Sequence, residues 1–144
     1  MKIIKSLAIK SIKMKAIILA ACLLAASVLQ AQDSCFNNAV IKTSSMGTGE
    51  DSIAFSLQFV TAKDSVIIEY GAEASRNVVF KVISRTCHWN KNFKTGESIY
   101  NVEVMPERKK AILKIIVSDA RRVIELIYNN TERRIFNIAT FSLQ

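Results

Sequence analysis

Histidine is nearly absent from this chain: His88 is the only one among its 144 residues. This excludes any site that requires two or more histidine ligands. His88 follows Cys87, but adjacent residues on a strand point to opposite faces, which argues against a thiol–imidazole pair. The chain also has neither a Gly-x-Ser-x-Gly nucleophile elbow nor the ligand spacing of an EF-hand. We therefore expect that the protein is not an enzyme and has no catalytic residues, no metal site and no cofactor.

Glycine and proline are also scarce, with four glycines and one proline in the chain. Asn, Asp and Ser must therefore supply most of the turns. Gly47 and Gly49 lie in the segment from Thr43 to Asp51, which we interpret as the longest flexible loop of the N-terminal half. This segment lacks the third glycine and the strand–turn–helix context of a phosphate-binding loop, so we predict no such loop there.

The sequence also has no hydrophobic run long enough to span a membrane as a helix. The run from Ala16 to Leu29 has 14 residues, whereas a membrane-spanning helix needs roughly 20. Lysines precede this run and Gln30-Ala31 follows it, which is typical of a cleavable secretory signal peptide. We therefore predict a signal peptide over residues 1–31, with Met14 as an alternative start. The mature domain, residues 32–144, is expected to be secreted or periplasmic and to have no transmembrane segment.

A second processing route is open at Cys22. The sequence Leu19-Ala20-Ala21-Cys22 fits a bacterial lipobox, in which the cysteine is acylated and anchors an envelope lipoprotein. A lipobox normally closes the hydrophobic region, but here the apolar run continues past Cys22. Ordinary cleavage near Ala31 is therefore the preferred interpretation.

Most of the positive charge belongs to the leader. The whole chain has 20 basic and 12 acidic residues, a net charge of +8. Residues 1–31 contain five lysines and no acid, so 15 basic and 12 acidic residues remain, a net charge of +3. This small excess does not indicate a nucleic-acid partner.

Two cysteines remain after the leader is removed, Cys35 and Cys87. An even number of cysteines in an oxidising compartment favours pairing. We therefore predict a Cys35–Cys87 disulfide that holds the N-terminal end of the mature domain.

Apolar and polar residues alternate through much of the mature domain, and the apolar positions are rich in β-branched and aromatic residues. Both features favour strands. Their short connections predict an all-β fold: a single antiparallel meander of about eight strands that forms a small barrel or a sandwich. The eight predicted strands lie near residues 38–44, 52–61, 64–71, 77–85, 97–105, 109–118, 121–129 and 133–142.

Residues 107–130 also fit an amphipathic helix, but two observations favour strands. Ile and Val dominate the apolar positions, and Ser118-Asp119 interrupts the segment with residues that prefer turns. We therefore predict hairpin turns at Pro106-Glu107 and at Asp119-Ala120.

These two turns fix a register. The first places Glu103 opposite Lys110, and the second places Lys114 opposite Glu125, so opposite charges face each other in both hairpins. Leu113 then faces Leu126 and Ile115 faces Ile124 on the other side of the sheet. We expect this apolar side to be buried and Glu125 to be exposed.

Basic residues cluster in the C-terminal half. In an antiparallel meander the turns near residues 107 and 131 lie at one end of the sheet and gather Arg108, Lys109, Lys110, Arg133 and Arg134. One hypothesis is that this cluster, which we call the basic end, binds an anionic partner such as an acidic glycan, a phospholipid headgroup or another envelope component. The alternative is that these charges only keep strand ends soluble and unpaired.

Three aromatic residues, Trp89, Phe93 and Tyr100, bracket the loop from Asn90 to Ser98. Such a loop can stack on a sugar ring, or it can close one end of a hydrophobic core. One hypothesis is therefore that these three residues belong to a binding loop.

The expected function is therefore that of an exported, non-enzymatic β domain that acts as a binding or interaction module. Two alternatives remain open. A small barrel can carry an apolar ligand, which requires an internal cavity of several hundred cubic ångströms, on the order of known ligand pockets. Acylation at Cys22 would make the protein a lipid-anchored envelope protein.

Overall fold

The computed structural model describes residues 35–71, 76–129 and 131–144. The predicted signal peptide and Cys22 lie outside these residues. The described part contains nine strands and the short 3-10 turn Gly49–Asp51. The strands are β1 (Ala39–Met46), β2 (Ile53–Ala54), β3 (Gln58–Thr61), β4 (Ser65–Glu69), β5 (Val78–Trp89), β6 (Gly96–Met105), β7 (Lys109–Val117), β8 (Arg122–Tyr128) and β9 (Glu132–Leu143).

All nine strands belong to one antiparallel sheet in the order β2-β1-β3-β4-β5-β6-β7-β8-β9, and β1 also pairs with β9. This last pairing closes eight of the strands into a barrel, and the two-residue β2 is an addition on the end of β1. The predicted all-β meander is confirmed, and of the two predicted forms it is the barrel.

Three strand positions differ from the sequence prediction. The predicted strand 52–61 is divided into β2 and β3, β5 extends beyond residue 85 to Trp89, and β1 is longer than expected near Thr43. We expected a loop from Thr43 to Asp51, but β1 continues to Met46. The reason is long-range pairing, because Thr43 to Met46 lie opposite β9, where Met46 faces Phe136. The Thr43 hydroxyl also accepts a hydrogen bond from the Leu57 backbone N–H at 3.0 Å and is buried there.

Side chains fill the interior of the barrel. Tyr100, Phe59 and Phe80 are the largest of the fully buried residues, and the rings of Phe59 and Phe136 contact edge-to-face with centroids 5.4 Å apart. Four cavities of 280 to 640 Å³ are lined by described residues, and they lie at the barrel ends or on the outer face of the sheet.

The predicted register of β6, β7 and β8 is confirmed. Glu103 pairs with Lys110, Lys114 with Glu125, and the apolar pairs follow on the inner face. Tyr100, Val102, Leu113, Ile115, Ile124 and Leu126 are all buried there. Parity explains this success, since a shift of one residue would turn every apolar side chain outward.

The prediction that Glu125 is exposed is wrong. Glu125 lies on the outer face, as predicted, yet it is only 3% exposed. Its carboxylate accepts hydrogen bonds from the guanidinium groups of Arg121 and Arg133, the latter at 2.5 Å. These two arginines extend over the carboxylate from the β7–β8 turn and from β9, and so remove it from solvent.

The two ends of the barrel differ. One end, the disulfide end, holds residues 35–38, the β5–β6 loop, the β7–β8 turn and the last residues of β9. The other holds the turns near residues 107 and 131, as predicted, and is the basic end.

The predicted disulfide is present between Cys35 and Cys87. It fastens the segment before β1 to the inner face of β5, where Cys87 pairs with the buried Ser98. Phe36 follows the bridge and is 5% exposed. This segment therefore covers the disulfide end of the barrel.

Candidate binding sites at the two ends of the barrel

The β5–β6 loop, residues 90–95, has a fixed conformation because Asn90 holds it from inside. The Asn90 side-chain oxygen accepts the Lys94 backbone N–H at 2.9 Å, and its amide nitrogen donates to the Thr95 hydroxyl at 3.0 Å. The Asn90 backbone carbonyl also accepts the Phe93 N–H at 3.0 Å. This network organises the loop without any ligand.

Phe93 is held in a backbone conformation that an aromatic residue rarely adopts. Its φ angle is +52°. In this region glycine has no penalty and asparagine a small one, whereas a bulky residue costs about 1–3 kcal/mol. Arg108 and Asn129, which lie in the turns at the basic end, have the same kind of backbone conformation, with φ angles of +57° and +49°.

An aromatic cluster lies beneath the loop. The Trp89 indole stacks on Phe141 with ring centroids 5.4 Å apart and an interplanar angle of 8°. Phe36 packs edge-on against both rings. The indole lies across Gly96, where a Cβ would come within 2.9 Å of the ring and 2.3 Å of the His88 carbonyl oxygen. Any side chain at position 96 would therefore force the backbone of His88 and Trp89 to shift, together with the indole.

The candidate aromatic loop needs one correction, which concerns Tyr100. This residue is 0% exposed and lies inside the barrel, where an external ligand does not reach it. Its hydroxyl is buried and has no hydrogen-bond partner among the described residues. Burial raises the pKa of Tyr100, while the nearby Ser98 hydroxyl and the charge of Arg85 act in the opposite direction. The sequence placed Tyr100 beside the loop, but strand parity turns it into the core.

A groove of about 640 Å³, which we call the Phe93 groove, opens beside this loop. Its lining includes Phe93, Lys94, Ser118, Asp119, Arg122 and Phe141. The β7–β8 turn forms the opposite wall, and the Ser118 hydroxyl fixes that turn by accepting the Arg121 backbone N–H at 3.0 Å. Both walls are therefore preorganised.

The Phe93 groove has two cations that lack an acidic partner in the described part of the chain, Lys94 and Arg122. Both residues are exposed. Sequence reasoning missed them, although the predicted register placed Arg122 opposite Val117, across the turn from Asp119. Lys94 comes near Arg122 only because of the conformation of the β5–β6 loop, which strand patterns do not predict.

The five residues of the basic end come together as predicted, but acidic residues accompany three of them. Lys109 lies 3.5 Å from Glu107, and Arg133 binds Glu125. Arg134 donates to Glu132 from two nitrogens, at 2.6 and 3.0 Å, and this contact raises the pKa of its guanidinium. Arg108 and Lys110 have no ion pair within the described residues. The positive potential of this end is thus weaker than the number of cations suggested.

The structure also gives the position of the single histidine. His88 is exposed and lies opposite Glu97, on the other face of β5 from the disulfide. The described residues contain no group of three or more His, Cys, Asp or Glu side chains that could hold a metal. Within the same residues, no helix has the length and hydropathy to cross a membrane.

We compared the chain with known proteins in three ways. No family model, no curated protein and no solved structure matches it.

Proposed function

We propose that the mature domain is an exported, non-enzymatic binding module that holds an anionic glycan in the Phe93 groove. The observation that carries this proposal is the combination of Phe93, kept in a strained conformation at the rim, with two cations that have no acidic partner. An aromatic ring offers a stacking surface to the apolar face of a sugar, and free cations attract its carboxylates or sulfates. The disulfide supports export, because such bonds persist in oxidising compartments.

The Phe93 groove is a better anion site than the basic end. Lys94 and Arg122 line the groove together with Asp119, which leaves a net charge of +1, whereas Lys109 and Arg134 in the cavity at the basic end are matched by Glu107 and Glu132. Arg108 and Lys110, which also have no ion pair within the described residues, do not line that cavity. The groove is also larger than the 410 Å³ cavity at the basic end. Its volume falls within the range of about 300–1,000 Å³ found for small-molecule sites.

Titration with oligogalacturonate tests this function, with a neutral malto-oligosaccharide as the control ligand. Trp89 is the only tryptophan of the chain, and its ring lies 6.4 Å from that of Phe93, so its fluorescence reports on the groove. We expect the acidic oligosaccharide alone to change the Trp89 fluorescence, with an affinity that falls as salt rises because the charges are exposed.

Two variants locate the site. Lys94→Ala and Arg122→Ala should each weaken binding, whereas Arg108→Ala, an exposed cation at the basic end, should leave it unchanged. If Arg108→Ala abolishes binding and the groove variants do not, the basic end is the anion site. If neither oligosaccharide binds, the proposed ligand class is wrong.

The processing route has its own test. The mass of the exported protein should correspond to cleavage near Ala31. A diacyl or triacyl adduct on Cys22 would instead identify a lipid-anchored protein.

A further inference from the structure

A second cavity, of about 410 Å³, opens at the basic end, on the opposite side of the barrel from the Phe93 groove. It lies where β4, β6, β7, β8 and β9 come to their ends. We call it the tyrosine cup, and its polar and aromatic lining includes Tyr70, Glu107, Lys109, Tyr128, Glu132 and Arg134. Barrel mouths are common positions for ligand sites, because they combine an apolar floor with a polar rim.

Strand parity explains why aromatic and apolar side chains form the floor. Tyr128 pairs with the buried Ala111 and continues the inner face of β8 after Ile124 and Leu126. Val104 is the corresponding inward residue of β6, and it is 8% exposed. The floor of the cup is therefore the end of the core.

The charges on the rim balance. Lys109 is 3.5 Å from Glu107, and Arg134 binds Glu132, so the four charges sum to zero. Each pair leaves hydrogen-bonding capacity unused. Arg134 donates to Glu132 through Nε and one Nη, so its second Nη stays available, as does the other Glu132 oxygen.

Tyr128 has one face occupied. The Arg134 guanidinium carbon lies 5.7 Å from the centre of its ring, which orients both side chains. The Tyr128 side chain is partly buried, and its desolvation raises the pKa of the hydroxyl. The hydroxyl thus remains protonated at neutral pH and is available as a hydrogen-bond donor.

We propose that the tyrosine cup binds a neutral saccharide unit. The four rim charges cancel, and the neighbouring cations Arg108 and Lys110 do not line the cup, so the lining favours no ion of either sign. Four charged groups disfavour an apolar ligand because they would lose their hydration without replacement. A polyhydroxylated ring satisfies both conditions, since each hydroxyl can accept from a cation and donate to a carboxylate. The two tyrosine rings provide the apolar surface against which the C–H groups of a sugar pack.

Amide chemical shifts measured by nuclear magnetic resonance test this inference on the mature domain. Glucose, galactose and N-acetylglucosamine are the neutral probes, and glucuronate is the charged one. We expect at least one neutral sugar to shift the amides of Gly71, Lys109 and Glu132 and to leave those of Lys94 and Ser118 unchanged. Glucuronate should bind the cup no better than glucose.

Variants of the cup separate binding from folding. Tyr128→Ala and Arg134→Ala should each weaken binding at least tenfold. Tyr128→Phe, which keeps the ring, checks the result if Tyr128→Ala does not fold, and it should retain part of the affinity. Lys110→Ala is the matched control, since Lys110 is a basic-end cation on the outer face and does not line the cup.

Three results would overturn the inference: no shift at the cup with any neutral sugar, tighter binding of glucuronate than of glucose, or equal binding by wild type and Arg134→Ala. The Phe93 groove is at the other end and is followed by Trp89 fluorescence. Failure at the cup therefore leaves the proposed function of the groove untouched, and the reverse also holds.

Discussion

Replacing both bridged cysteines, as Cys35→Ser and Cys87→Ser together, should lower the free energy of unfolding by about 4 kcal/mol. This value follows from the position of the bridge, whose two cysteines are 52 residues apart in the chain. The chain-entropy model assigns about 4 kcal/mol to the closure of a loop of this length. Domains of this size have a total stability of about 5–15 kcal/mol, so the variant should still fold but lose about a quarter or more of this stability.

The bridge also positions Phe36, and this gives a sharper test. Phe36 is buried between Trp89 and Phe141, with ring centroids at 5.1 and 5.4 Å. In the bridged protein Phe36→Ala should cost about 3–5 kcal/mol. Without the bridge, we expect Phe36 to occupy its place only part of the time. The loss of stability from Phe36→Ala should then be smaller by about 0.5–3 kcal/mol, which is the range of coupling energies between residues in contact.

Urea unfolding followed by circular dichroism measures these differences for the four combinations of bridge and Phe36. Ile68→Val, a core change on β4 near the basic end, is the control and should cost about 0.5–1.5 kcal/mol with or without the bridge. Additive losses for Phe36→Ala and the bridge would refute the argument, because they would show that the segment holds its place unaided.

Three further predictions concern single residues. Leu126→Ala should lower stability by about 2–5 kcal/mol in urea unfolding, since the side chain is buried in the confirmed register. Glu125→Ala should lower the free energy of unfolding by about 1–3 kcal/mol, because two charged hydrogen bonds are lost. The loss is not larger because the two arginines are half-exposed and are hydrated once Glu125 is gone. A loss well under about 1 kcal/mol would instead favour the exposed position expected from the sequence. Tyr100→Phe should be neutral or stabilising below pH 9, since it removes a buried hydroxyl without a partner. Because the pKa of Tyr100 is raised in the folded state, the hydroxyl of the unfolded chain is deprotonated at a lower pH than that of the folded protein. The free energy of unfolding is therefore retained below pH 10 and falls as the pH rises beyond it. Tyr100→Phe should reduce this decline in unfolding measured at alkaline pH.

The fold was largely predictable because its strands obey parity. The pairing of Lys114 with Glu125 needed only alternation and a turn at Asp119-Ala120. The closure of the barrel was not predictable in the same way, since it depends on β1 meeting β9 across about 100 positions of sequence, and neither strand has a charge pattern that selects the other. The same long-range contact extends β1 beyond Thr43.

The sites were only partly predictable, for a different reason. The topology places Arg108 and Arg134 at the same end of the barrel, but the electrostatic potential there depends on where the side chains of Glu107 and Glu132 point. The exposure of Glu125 depends on two long arginine side chains that reach over it from neighbouring elements. Phe93 was recognised as an aromatic loop residue, but its strained backbone arises from hydrogen bonds of Asn90 that no periodic pattern reveals.

The pairing of β1 with β9 has a practical consequence for the order of the chain. Ala39 lies opposite Leu143, and the Gln144 backbone N–H donates to the Asn38 carbonyl at 3.1 Å. The first and last residues of the barrel are therefore adjacent, which is the condition for circular permutation. A peptide linker that leaves residues 35–38 and the Cys35–Cys87 bridge in place can join the two ends, and new termini can be opened at the turn after β7 without removing any strand from the barrel.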